Sequence, residues 1–287
     1  LPARSSLLAP RPSPLAARCS VLAMTYIIYF YFAFILSTML VPLCSRLGKR
    51  IGAVDRPDER KVHTSIIPRT GGLAFAAATI LPLMVSQYSP LVMGFALGGG
   101  VLVLFGLWDD VRDIDYRIKL LGQVAASLVF CLVSGIQVVS MGELIPGYEI
   151  ATGALSLPIT IIFFLAVINI INLSDGLDSL ASGLTVIILI CCSLLAFQQQ
   201  SFQTLILCVT LLGALAGFMR YNLHPASIFM GDGGSQFLGF TLAAVLLDLT
   251  QGNSIYSPVL PLFVLGIPII DTAVVIYERV NAGVSLF

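Results

Sequence analysis

Charge is what this sequence has least of. Only 10% of its 287 residues are Asp, Glu, Lys or Arg, against about 25% in soluble domains. That scarcity, with 57% hydrophobic residues and a mean hydropathy of +0.98, excludes a soluble globular fold. Histidine is nearly missing, at two residues, and the six cysteines (Cys19, Cys44, Cys131, Cys191, Cys192 and Cys208) form no CxxC pair. Thiolate and imidazole metal sets are therefore not written here, and the cysteines read as small core residues. No tract of Lys and Arg is dense enough to suggest nucleic acid as a partner.

What the chain has instead is apolar runs of the ~20 residues that a spanning helix needs. They predict an all-α integral membrane protein, a polytopic helical bundle of about nine transmembrane helices. The crossings fall near residues 24–47, 71–87, 90–108, 119–140, 155–173, 180–197, 203–220, 234–250 and 257–277. Alternation of sides then places all the Lys and Arg after Met24, from Arg46 to Arg279, on one face. By the positive-inside rule that face is the cytoplasm and the N-terminus lies outside. Residues 1–23, rich in Pro, Arg, Ser and Ala, carry arginines that break the rule, so they read as a non-native or disordered tail ahead of a 24–287 membrane domain.

The acids obey the same partition. Asp109, Asp110, Asp113, Asp115, Asp175, Asp178 and Asp232 all belong to the cytoplasmic side. A transporter would hold its key charges near the bilayer midplane. Acids crowded at one surface suit an enzyme with one soluble and one lipid substrate.

Four cytoplasmic segments stand out. The first, residues 55–72, joins Arg60, Lys61, His63 and Arg69 to a Pro-Arg-Thr-Gly-Gly turn, a combination suited to anionic oxygens or to lipid headgroups. The second, GLWDD, ends the third crossing; Asp109 and Asp110 diverge by about 100° on a helix and so serve different purposes. Trp108 and Tyr116 beside them read as interfacial anchors. The third, residues 169–183 (NIINLSDGLDSLASG), repeats a polar side chain every third residue at Asn169, Asn172, Asp175 and Asp178. A straight helix cannot aim all four at one site, so the backbone is expected to tighten or unwind, with Gly176 the easiest place. In the fourth, residues 222–239, Asp232 is framed by glycines at a helix start, where exposed N–H groups favour phosphate. Hard oxygen ligands beside a basic loop fit Mg2+ better than zinc, which points to phosphoryl transfer.

In this order, RKVH…PRTGG, GLWDD, NIINLSDGLDSLASG and PASIFMGDGGSQFLGF resemble the polyprenyl-phosphate N-acetylhexosamine-1-phosphate transferase family. The resemblance implies transfer of a sugar 1-phosphate, GlcNAc 1-phosphate first among the choices, from a UDP-N-acetylhexosamine to undecaprenyl phosphate. UMP would be released with Mg2+, or Mn2+ as a substitute, at the cytoplasmic face of a bacterial inner membrane. It also leaves a homodimer open. Asp109 and Asp110 match the paired catalytic aspartates near the lipid phosphate. Asn172, Asp175 and Asp178 match the nucleotide motif, and Phe229 the aromatic that packs on uracil. Lys61, His63 and Arg69 join the nucleotide-sugar set, and Asp232 with Asp175 the metal set. The PRTGG and PASIFMGD forms lie nearer the O-antigen and teichoic acid branch than the phospho-N-acetylmuramoyl-pentapeptide transferases, which stay as an alternative beside a transporter. Two positions depart from the pattern: Ser179 stands where Gly is frequent and Gln236 where Leu is frequent. The resemblance also implies a histidine-bearing cytoplasmic loop and further helices beyond Phe287, so the chain reads as incomplete at its C-terminus.

Overall fold

A computed structural model describes residues 14–57, 66–86, 88–145 and 148–283, and it is helical throughout its apolar part. The first helix, α1 (Pro14–Ile51), starts ahead of Met24, because proline fits the first helical position and an Ala-rich stretch propagates from it. The expected tail boundary at residue 23 therefore falls inside a helix, and residues 1–13 lie outside the described residues. A short antiparallel ribbon follows, β1 (Val54–Asp55) with β2 (Ile67–Pro68). Then come α2 (Gly71–Ser86), α3 (Pro90–Arg112) and α4 (Tyr116–Ser134). A second antiparallel hairpin, β3 (Ser140–Ile145) with β4 (Tyr148–Ala151), leads to α5 (Ser156–Leu173), α6 (Leu180–Gln199), α7 (Phe202–Asn222) and α8 (Gly231–Thr250). The described chain ends in α9 (Leu260–Val264) and α10 (Gly266–Asn281).

Seven of these helices are long and apolar enough to span a bilayer, rather than the nine expected. Of the other two expected crossings, α2 is only 16 residues, about 24 Å at 1.5 Å per residue, and the last is broken into α9 and α10. The break falls at Leu265–Gly266, where Pro268 brings no N–H to continue the helix across it onto the Val264 carbonyl. The expected crossing at 119–140 stops at Ser134 because Gly135 caps it in the left-handed region at φ 73.

Helix α8 is the axis of the bundle. Seventeen of its 20 residues are buried, and α2, α3, α5, α6 and α7 all pack on it. Phenylalanines from five neighbouring helices interlock with two of its own: Phe75, Phe95, Phe130, Phe164 and Phe218 meet Phe237 and Phe240, and all are below 2% exposed. Their ring centroids lie 5.1–6.3 Å apart, within the range of favourable tilted and edge contacts.

At its first turn α8 is gripped through glycine. A Cβ on Gly106 of α3 would stand 2.2 Å from the Gly233 Cα, and one on Gly72 of α2 would stand 2.3 Å from the Gly234 Cα. No side chain fits either crossing. Gly106→Ala should therefore lower stability by about 1–3 kcal/mol through overpacking. Gly100→Ala, on the same helix with open space around it, should be neutral or slightly stabilising. Thermal melts of the two variants in detergent check the contrast.

Candidate active site

The site lies where the ends of α3, α4, α5 and α8 meet. Asp110, at the end of α3, accepts from the backbone N–H of Asp232 at 3.1 Å and of Gly233 at 3.5 Å. Its carboxylate caps the first turn of α8 from another helix, satisfying donors that have no partner inside α8. The fit depends on Gly231, which sits at φ 71 and whose Cβ would strike the Arg69 carbonyl and the Asp110 carboxylate.

Asp109 does a different job, as the 100° separation predicts. It is buried, accepts from the Ile114 N–H at 3.0 Å, and so shapes the tight turn from α3 into α4. Its other oxygen lies 2.6 Å from Lys119 Nζ, and the same ammonium lies 3.0 Å from Asp232 Oδ2. One lysine on the first turns of α4 thus bridges two aspartates on α3 and α8. In the sequence Lys119 is only one of the Lys and Arg residues gathered on the cytoplasmic side, and nothing local distinguishes it from Arg117.

Helix α5 does unwind after Leu173, as the three-residue repeat predicts. The Ser174 hydroxyl turns back to the Ile170 carbonyl, and residues 174–179 run as turns and bends. Ser179 adopts φ 63, in the left-handed region that glycine enters freely and other residues only at a cost. Its N–H and hydroxyl both meet Asn222 Oδ1, at 3.1 and 3.3 Å, while Asn222 Nδ2 donates to the Ile228 carbonyl. Asn222 therefore ties the unwound segment to the approach to α8.

The unwinding separates the four polar residues. Asn172 donates to Ser235 Oγ at 2.8 Å, and Asn169 joins Gln123 one turn further into the bundle. Asp175 faces the cleft, where burial first and then the Asp232 and Asp178 carboxylates push its carboxyl up to about 7. Asp178 turns away, to His224 Nδ1 at 2.9 Å and the Ala226 N–H at 3.2 Å.

The remaining expected residues are scattered. Arg69 pairs with Asp55 across the β1–β2 ribbon, with its guanidinium beside Asp110 rather than in the cleft. Phe229 uses its backbone to bond Pro68 and Gly71 at the foot of α2 and does not line the cleft. Lys61 and His63 lie outside the described residues.

A cleft of about 560 Å3 opens between α4, α5 and α8. Lys119, Asp175, Asp232 and Arg279 surround its charged part, and Gln123, Asn169 and Gln236 line it as well. Among the described residues no group of three or more His, Cys, Asp and Glu stands ready to hold a metal. An Mg2+ ion asks for less than such a group, since one or two carboxylates suffice when substrate phosphate and water complete its shell. Asp232 and Asp175, both partly exposed at the cleft, are the carboxylates within its reach; Asp232 shares Lys119 with Asp109, but Asp109 is buried and gives its other oxygen to the Ile114 N–H.

Comparison with known proteins decides the family. The profile described as Glycosyl transferase family 4 matches residues 92–250, which include Asp109, Asp110, Lys119, Asp175 and Asp232. The chain belongs to this family, among the polyprenyl-phosphate N-acetylglucosamine-1-phosphate transferases. It is 35% identical over 257 residues to the probable undecaprenyl-phosphate N-acetylglucosaminyl 1-phosphate transferase of Bacillus subtilis (strain 168), covering 86% of this chain and 71% of that protein. To the undecaprenyl-phosphate alpha-N-acetylglucosaminyl 1-phosphate transferase of Escherichia coli (strain K12) it is 30% identical over 260 residues, 88% of this chain and 71% of that one. The enzyme of that name from Yersinia pestis is 29% identical over 262 residues, covering 89% and 72%. This membership makes the protein a multi-pass membrane transferase.

Two variants test the electrostatics. Asp110→Ala removes the acceptor at the α8 N-terminus and should cost up to about 2 kcal/mol, read as a lower melting temperature. For Asp175, a carboxyl held above its unfolded value near 3.9 weakens the folded state as pH rises from about 4 to about 7. Asp175→Asn lifts that penalty, so in EDTA it should raise the melting temperature at pH 8 and leave it unchanged at pH 4.

Proposed function

We propose that the protein transfers N-acetylglucosamine 1-phosphate from UDP-N-acetylglucosamine to undecaprenyl phosphate, releasing UMP, at the cytoplasmic face of a bacterial inner membrane. The observation that carries this reading is the Asp109–Lys119–Asp232 bridge at the mouth of a cleft among membrane helices. Acceptor and sugar follow the names of the relatives. The orientation follows the gathering of Lys and Arg at the site end of the bundle.

In the reaction an oxygen of the acceptor's phosphate monoester attacks the β-phosphorus of the UDP-sugar. The bond to the α-phosphate bridging oxygen breaks, and UMP leaves with the electron pair. No proton is needed for balance when the acceptor is already a dianion, and a second phosphate pKa near 6 leaves it largely so at neutral pH. The protein's task is then positioning and charge neutralisation. Lys119 and Arg279 supply fixed cationic charge to the diphosphate. Bound Mg2+, or Mn2+ in its place, would add Lewis-acid neutralisation of the diphosphate, held by Asp232 and Asp175. Asn172 steadies the α5 end against Ser235, and Asp178 holds the loop before α8. Asp110 acts through α8 rather than on substrate.

The phospho-N-acetylmuramoyl-pentapeptide reaction differs only in the donor, and the relatives favour the simpler sugar. A transporter is not favoured: Asp248, at the far end of α8, is engaged by Ser201 and Thr204, so it forms no line with the cleft acids. The assay is UMP release from UDP-N-acetylglucosamine with undecaprenyl phosphate in nanodiscs. EDTA should abolish turnover and Mg2+ restore it, and Asp232→Asn should cost at least about a hundredfold. Absence of turnover with every UDP-N-acetylhexosamine would refute the reading.

A further inference from the structure

The cleft is built in two layers. The outer one carries the charge, Lys119 on α4 and Asp232 on α8, with the neutral Asn172 on α5 beside them. Moving four residues along α4 and α8, and three back along α5, reaches Gln123, Gln236 and Asn169. Each lies one helical turn, about 5 Å, deeper in the bundle. Gln123 joins the other two amides. Asn169 Nδ2 donates to Gln123 Oε1 at 2.8 Å, and Gln123 Nε2 donates to Asn169 Oδ1 and Gln236 Oε1 at 3.4 Å.

The network leaves one group over. Because Gln236 Oε1 faces the Gln123 donor, the Gln236 Nε2 hydrogens point elsewhere, and among the described residues no protein acceptor meets them. Gln236 is 3% exposed and lines the cleft. The Nε2 group itself is open to the cleft rather than sealed in the bundle, so a ligand oxygen entering there would meet a donor that no protein group holds.

We infer that the amide layer of Gln123, Asn169 and Gln236 is the seat of the acceptor's phosphate, with Gln236 Nε2 donating to one of its oxygens. The inference rests on the phosphoryl-transfer reading above. In that reaction the attacking and leaving oxygens stand on opposite sides of the phosphorus, roughly in line. The nucleotide is soluble and leaves through the charged mouth. The attacking oxygen therefore comes from the side away from the mouth, which is the amide layer. Chemistry favours the same placement: a cation paired to the attacking oxygen would draw off its electron density, whereas neutral amide N–H groups hold the dianion and leave it nucleophilic.

Gln236→Leu, close in volume, and Gln236→Glu, which sets an anion against the phosphate, test this without requiring turnover. Retention of undecaprenyl phosphate and of undecaprenol by the purified chain in nanodiscs is compared by native mass spectrometry, alongside UMP binding. The wild type should prefer the phosphate over the alcohol. Gln236→Leu should cut that preference about tenfold, and Gln236→Glu further, while UMP affinity and undecaprenol retention stay unchanged. A wild type that does not distinguish the two lipids overturns the inference, as does a Gln236→Leu variant that keeps the full preference. A parallel fall in UMP affinity would also overturn it, by making Gln236 a structural support. The proposed reaction is judged separately, by UMP release from the wild type: lost phosphate preference in Gln236→Leu with no such release would leave the seat standing and discard the donor.

Discussion

The first turn of α8 cannot begin where it does unless two neighbouring helices give up their side chains to it. Gly72 and Gly106 bring α2 and α3 against Gly234 and Gly233 at distances no Cβ would allow. That proximity has an electrostatic consequence. The N–H groups of Asp232 and Gly233 find their acceptor in Asp110, one residue past the place where α3 presents Asp109 to Lys119. Close packing and capping thus come from the same few residues, and the position of Asp232 follows from both.

Within that frame the carboxylates differ. Asp109 and Asp232 share one ammonium, while Asp175 faces the same space with its carboxyl pushed up to about 7 by burial and by Asp232 and Asp178. Arg279 stands across the cleft from them, so the lining brings carboxylates and cations together in nearly equal number. Lys119 is held between its two aspartates at the edge of the cleft.

The unwound segment after α5 shows how a local irregularity is sustained. Ser179 in the left-handed region and the bends at residues 174–178 are held by hydrogen bonds to Asn222, His224 and the Ala226 N–H. Asp178 is spent on this anchoring, so the regular spacing of Asn169, Asn172, Asp175 and Asp178 does not mean a shared ligand. It places two amides on α5, one acid in the cleft and one acid in a supporting loop.

By itself the sequence determined that the protein lives in a membrane, roughly where its helices run, which end carries the acids, and to which family it belongs. Hydropathy, charge partition and contiguous motifs are properties of neighbouring residues, and all of these can be read along the chain. The break in α5 was legible for the same reason, because a three-residue repeat around Gly176 conflicts with the pitch of a helix. Only the tertiary structure decided the division of labour between Asp109 and Asp110, the entry of Lys119 into the site, the departure of Asp178 from it and the layer formed by Gln123, Asn169 and Gln236. The Lys119–Asp232 contact joins residues 113 positions apart, as does the Gln123–Gln236 contact. Such pairings depend on how α4, α5 and α8 rotate about their axes, and packing against the phenylalanine core and the glycine crossings sets that rotation, which no local pattern encodes.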